Sequence, residues 1–77
     1  INMLDKIRKI LCEFVDVAPE EITLDTDIHT DLALNSLELV NFAVEVEDEF
    51  DVVIPDKEAM GIHTVGDVIN IVKKYMK

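Results

Sequence analysis

Apolar residues along this chain fall into helical stripes separated by one long irregular stretch. Leu4, Ile7, Leu11 and Phe14 recur at i, i+3, i+7 and i+10, with Ile10 and Val15 beside them, which predicts an amphipathic helix over residues 3–15. Asn2, three positions before Asp5, is placed to cap it. Residues 16–35 hold no helical period, yet Ile22, Leu24, Ile28, Leu32 and Leu34 supply apolar anchors, as expected of a packed, functional loop. Within it, Ala18-Pro19-Glu20-Glu21-Ile22 reads as one helical turn with Pro at its head and acids behind. The second strong helix runs from Ser36 to Phe50, opened by Asn35 and Glu38 in the spacing of a capping box. A short third segment follows: Pro55 stops what precedes it, Asp56 is predicted to cap it and Gly61 to end it. The last helix begins at Thr64, where Asp67 completes a second capping box. Val65, Val68, Ile69, Val72 and Tyr75 form its stripe, and Lys73, Lys74 and Lys77 suit the negative end of its dipole. The expected fold is all-α: a four-helix bundle of three longer helices, one short third helix and a long first loop.

The second helix carries two apolar faces. At about 100° per residue, Leu39, Phe42, Ala43, Val46 and Phe50 share one side, an ordinary core stripe. Leu37, Val40 and Val44 form another, roughly 135° away. Glu47 and Asp48 border it, with Glu38, Asn41 and Glu45 beyond. Leu37 and Val40 either pack under the long loop or join an exposed patch rimmed by acids, the form of a partner surface. Val44, beside Glu45, Glu47 and Asp48, is the residue to expect in solvent.

Size and charge narrow the function. A chain of 77 residues makes one domain, 1–77, with little room for a deep catalytic cleft. Seven Lys and Arg against 17 Asp and Glu give a net charge of −10, which argues against nucleic acid and anionic membrane as partners. The charge is also segregated: between Ile10 and Asp56 there is no Lys or Arg, while fourteen carboxylates lie there. Such a face suits a basic protein partner. No run is apolar over the roughly 20 residues a membrane span needs, and none has the signal-peptide pattern. Cys12 is alone, so no internal disulfide forms. A monomeric, cytoplasmic protein is expected.

Few residues offer chemistry. Asp25-Thr26-Asp27 resembles the start of a calcium loop, but the required Gly and distal Glu are missing. His29 and His63 have no companions at metal-ligand spacing, and Cys12 reads as a plain free thiol. Met60 and Met76 read as packing residues near helix ends. Ser36, at the head of the second helix, has no His or Lys near it in sequence to make it a nucleophile, and such a serine is ordinarily a cap. A hydroxyl there is nevertheless a good anchor for a phosphate, whose charge the free N–H groups and the positive dipole end stabilise.

The segment from Asp31 to Phe50 resembles the modification motif of acyl carrier proteins, in which Asp-Ser-Leu opens an acidic helix. Glu20-Glu21-Ile22 before it, Glu47-Asp48-Glu49-Phe50-Asp51 and Ile54-Pro55-Asp56 after it, and Ile62-His63-Thr64-Val65-Gly66-Asp67-Val68 extend the resemblance over most of the chain. It implies that Ser36 carries phosphopantetheine, transferred from coenzyme A by a Mg²⁺-dependent phosphopantetheinyl transferase, the holo-carrier synthase. The protein would then be a discrete carrier and no enzyme, holding an acyl group as a thioester. It would present that group to acyl-transfer or elongation enzymes of fatty-acid or related biosynthesis. Basic patches of those partners would dock on Asn35, Leu37, Glu38, Val40, Asn41, Val44, Glu47 and Asp48. Asn35 stands where the family usually has Asp, and Asn41 where an acid is common, which leaves open a carrier for an amino acid or a specialised acyl group. An unmodified acidic interaction module is the alternative of a different class.

Overall fold

The computed structural model describes residues 2–76. Helix α1 spans Met3–Leu11, α2 Ser36–Phe50, α3 Asp56–Met60 and α4 Val65–Tyr75. A single 3₁₀ turn, Pro19–Glu21, interrupts the long first loop, and the described residues contain no strand beyond an isolated antiparallel bridge between Asp27 and Thr64. This is the expected bundle of three longer helices and one short one. Its buried residues form one cluster, drawn from all parts of the chain: Ile7 and Leu11 of α1, Phe42 and Val46 of α2, Val65, Val68 and Val72 of α4, and Ile22 and Ile28 of the loop.

The capping chemistry holds where the signals are local. Asn2 Oδ1 accepts the Asp5 N–H at 2.8 Å and starts α1. Thr64 Oγ1 accepts the Asp67 N–H at 3.1 Å, while Asp67 Oδ2 accepts the Thr64 and His63 N–H groups at 3.0 Å each. Those backbone hydrogen bonds hold the Asp67 carboxyl below its ordinary value. Lys77, expected at the end of α4, lies outside the described residues.

Three expectations are corrected. Helix α1 ends at Leu11 and not near residue 15, because the chain tightens there into i→i−3 bonds, Glu13 N to Ile10 O and Phe14 N to Leu11 O. That turn swings Phe14 edge-on to Phe42, with ring centroids 6.4 Å apart. Asp56 does not cap α3: Pro55 occupies the cap position and Asp56 is the first helical residue. Met60 and Met76 do not pack, being 81% and 45% exposed, since a helix as short as α3 and the last turn of α4 bury only one side.

The long loop is pinned by backbone and not by apolar anchors alone. Ile28 N–H donates to His63 O, Val65 N–H to Thr26 O, and Gly66 N–H to Leu24 O, at 2.8, 3.0 and 2.9 Å. A Cβ on Gly66 would sit 3.2 Å from Leu24 O, so a larger residue there would push that carbonyl back by a few tenths of an ångström. Ile22, Ile28, Leu32 and Leu34 are buried as expected, whereas Leu24 is half exposed, because here its backbone makes the contact. Arg8 Nε adds a bond to Ile22 O at 2.8 Å. The loop therefore ends at a fixed position, which sets Asn35 and the start of α2.

Candidate functional site

The head of α2 divides its work between two residues. Asn35 Oδ1 accepts the Glu38 N–H at 2.8 Å, and Glu38 Oε1 accepts the Asn35 N–H at 3.1 Å, closing the capping box. Capping is therefore done by Asn35. Ser36, the first helical residue, is exposed, and its hydroxyl has no hydrogen-bond partner among the described residues. The N–H groups of Ser36 and Leu37 have no carbonyl a turn earlier to bind, whereas those of Glu38 and Leu39 are taken by Asn35. Without a base or general acid close by, the site supplies an accessible hydroxyl in a positive field and no catalytic machinery.

Below Ser36 lies the second apolar face. Leu37, Val40 and Val44 are 70%, 59% and 48% exposed, so this stripe does not pack under the loop. All three are in solvent, Val44 the least of them. Asn35, Asn41 and Asp48 are exposed around it, and Glu38 and Glu47 are half-buried with carboxylates engaged by the protein's own backbone. Of the acids expected here, Glu38 is turned back onto the Asn35 N–H at the helix start and Glu47 onto the Ile54 N–H, which leaves Asp48 as the exposed one.

One feature of this region escaped the sequence. A groove of about 490 Å³ runs between α2 and α3, walled by Val40, Ala43 and Val44 on one side and Ile54, Ala59 and Met60 on the other. It opens one turn along α2 from Ser36, about 6 Å by the rise of an α-helix. The only sequence trace of it is the alternation Val52, Val53, Ile54, with Val52 and Ile54 buried and Val53 exposed, which marks an extended segment between the helices.

The other candidates have structural work. Asp27 Oδ1 accepts the His29 and Thr30 N–H groups at 2.7 and 2.8 Å, and these bonds, that of Thr30 foremost, hold its carboxyl below the ordinary value. No group of three metal-ligating side chains converges among the described residues. His29 Nε2–H donates to Ile62 O at 2.8 Å, with the His63 ring edge-on 5.8 Å away. The Cys12 thiol donates to Val17 O at 3.4 Å.

A small helical bundle with a lone free serine at the head of an acid-rimmed helix defines a carrier scaffold, and the comparisons name the family. A family model described as the phosphopantetheine attachment site matches residues 5–72. The acyl carrier protein of Phenylobacterium zucineum is 37% identical over 73 residues, covering 95% of this chain and 92% of that protein. That of Clostridium perfringens strain SM101 is 34% identical over 73 residues, covering 95% and 96%. Among solved structures, the acyl carrier protein from Enterococcus faecalis superposes with a TM-score of 0.82 at 32% identity, over 94% of this chain and 91% of that one. The chain belongs to the acyl carrier protein family. It is a carrier that works with acyl-handling enzymes and is not an enzyme, and phosphopantetheine is its prosthetic group. No described helix is long and apolar enough to cross a membrane.

Proposed function

We propose that Ser36 Oγ is the point of attachment. The observation that carries this reading is the division of labour at the head of α2: Asn35 caps the helix, which leaves the Ser36 hydroxyl exposed and unengaged. When bound, phosphopantetheine supplies a thiol that holds the acyl group as a thioester. The protein's own residues do the rest. The N–H groups of Ser36 and Leu37, with the positive end of the α2 dipole, would offset the charge of a phosphate carried there. Leu37, Val40 and Val44 offer an apolar surface, ringed by Asn35, Asn41 and Asp48, on which a basic transferase or acyl-handling enzyme docks. The groove between α2 and α3 shelters an acyl chain from water. Its lining is mostly aliphatic, with Glu47 and Asp56 as its polar members, and suits a hydrocarbon acyl chain. Such a carrier works in the cytoplasm, in fatty-acid or related biosynthesis.

Incubation with coenzyme A, Mg²⁺ and a broad-specificity phosphopantetheinyl transferase tests the assignment by intact mass. The chain has one serine, so the expected gain is one phosphopantetheine unit, absent in Ser36→Ala. A gain that persists in Ser36→Ala refutes it.

A further inference from the structure

Glu47 lies on the edge of the docking face in sequence, yet its carboxylate points elsewhere. Glu47 Oε2 accepts the Ile54 N–H at 2.7 Å, a short, charge-assisted bond that spans seven residues. The carbonyl of the same residue accepts the N–H groups of Asp51 and Val52. One residue thus holds both ends of the turn that leaves α2. The turn needs holding: Asp51 sits in the left-handed region at φ 54° without being glycine, and the extended segment after it has Val53 78% exposed. Helix α3, which follows at once, has five residues and no side-chain cap. Its other ties lie along it and behind it: the half-buried Ala59 against the core, the burial of Ile62, whose carbonyl takes the His29 Nε2–H, and the Glu58–Lys74 ion pair at 3.0 Å; at its start, Ile54 is the anchor. The position of α3 against α2 therefore depends on where Ile54 is fixed, and Ile54 and Glu47 both line the groove.

We propose that Glu47 is a positioning residue, an inward strap that fixes Ile54 and so sets the opening of the α2–α3 groove and its hold on an acyl chain. Asp48, its exposed neighbour, is left as the acid that faces a partner. The groove's role in holding the chain rests on the carrier reading above; the strap itself does not.

Two substitutions separate reach from charge. Glu47→Gln keeps the length and an acceptor oxygen but loses the charge, whereas Glu47→Asp keeps the charge and is one methylene too short for Ile54 N–H. Amide exchange at Ile54 is measured on the full unmodified chain. The gain in melting temperature from an octanoyl-phosphopantetheine arm is measured on the loaded chain, and kcat/KM on the transferase. Glu47→Asp should lower Ile54 protection by roughly tenfold, the equivalent of one hydrogen bond to a charged group, and lose most of the octanoyl-linked gain. Glu47→Gln should lose less than about fivefold in protection, keep that gain, and slow the transferase no more than Glu47→Asp does. If Glu47→Asp keeps Ile54 protected while Glu47→Gln alone slows the transferase, Glu47 is a docking charge and the strap is overturned. If Ile54 loses protection but the octanoyl-linked gain survives, the link to the groove is overturned. A parent chain that accepts no arm overturns the carrier reading and leaves Ile54 exchange to decide the strap.

Discussion

Asn35 decides what Ser36 is free to do. Because its amide oxygen takes the Glu38 N–H, the neighbouring hydroxyl is not needed as a cap. Asn and Asp cap comparably, so Asn35→Asp keeps the fold, and one added charge near the positive helix end changes stability by only about 0.3–1 kcal/mol. Its effect belongs to recognition: it restores the acid that acyl carrier proteins usually carry there. Initial modification rates at two salt concentrations should be higher for Asn35→Asp than for the parent, most clearly at low salt. Equal rates would make Asn35 a neutral cap variant. Glu45 offers a second residue-scale test. It is half-buried, and its Oε2 is enclosed with no hydrogen-bond donor. Burial first, then the nearby carboxylates of Glu13 and Asp48, raise its carboxyl above the ordinary value. A raised folded value means that the native state holds the proton where the unfolded chain has released it. The ionised group therefore opposes folding as pH rises through that window. Glu45→Gln should raise the melting temperature at pH 7, and the gain should vanish once pH falls below the ordinary glutamate range. A gain that does not depend on pH would show a packing effect instead. The cap was legible because Asn35 and Glu38 are three positions apart in sequence; the raised Glu45 carboxyl was not, because it depends on the turn after α1, which carries Glu13, meeting α2 in space.

At the scale of elements, α2 is the one helix that buries one face and presents another. Phe42 and Val46 are enclosed, while Leu37, Val40 and Val44 stay in solvent. The periodicity shows both stripes, but it does not say which neighbours exist to cover the second. Only the packed loop answers that, since it passes over α4's start and leaves this face open. The same reasoning explains the ends that the pattern misplaced. The capping boxes of α2 and α4 are local and came through intact. The end of α1 is set by Phe14 turning onto Phe42, a partner 28 positions away, and a stripe continuing through Phe14 cannot reveal it. Val44→Ser should therefore cost no more than about 0.5 kcal/mol, the usual range for surface sites, while weakening the transferase reaction. Phe42→Ala on the opposite face should cost about 3–5 kcal/mol in denaturant unfolding. A Val44→Ser protein destabilised on the Phe42→Ala scale would place that stripe in the core and leave docking to the acids.

For the whole molecule, the unbalanced charge is the feature that composition revealed and folding has only partly offset. Of the fourteen carboxylates between Ile10 and Asp56, Glu49 is the one among the described residues that meets a base within 4 Å, Lys6 at 3.9 Å. The ion pairs Arg8–Asp5 and Lys74–Glu58 involve acids outside that run. The radius of gyration is 11.2 Å, close to the Debye length of about 10 Å at 0.1 M salt. At low ionic strength every carboxylate therefore feels most of the others, and at moderate salt only its neighbours. Repulsion of this kind opposes the compact state more than the expanded one. Adding NaCl, or Mg²⁺ in the millimolar range, should raise the melting temperature at pH 7. For a chain of this size each 1 kcal/mol of relieved repulsion is worth about 4–8 °C. The same salt should slow association with a basic transferase, because screening removes the attraction that steers the two together. Stability and docking thus move in opposite directions along one salt titration. A melting temperature indifferent to ionic strength would mean that the carboxylates are too far apart in the folded protein to repel, and the acidic face would then lose its claim to steer partners.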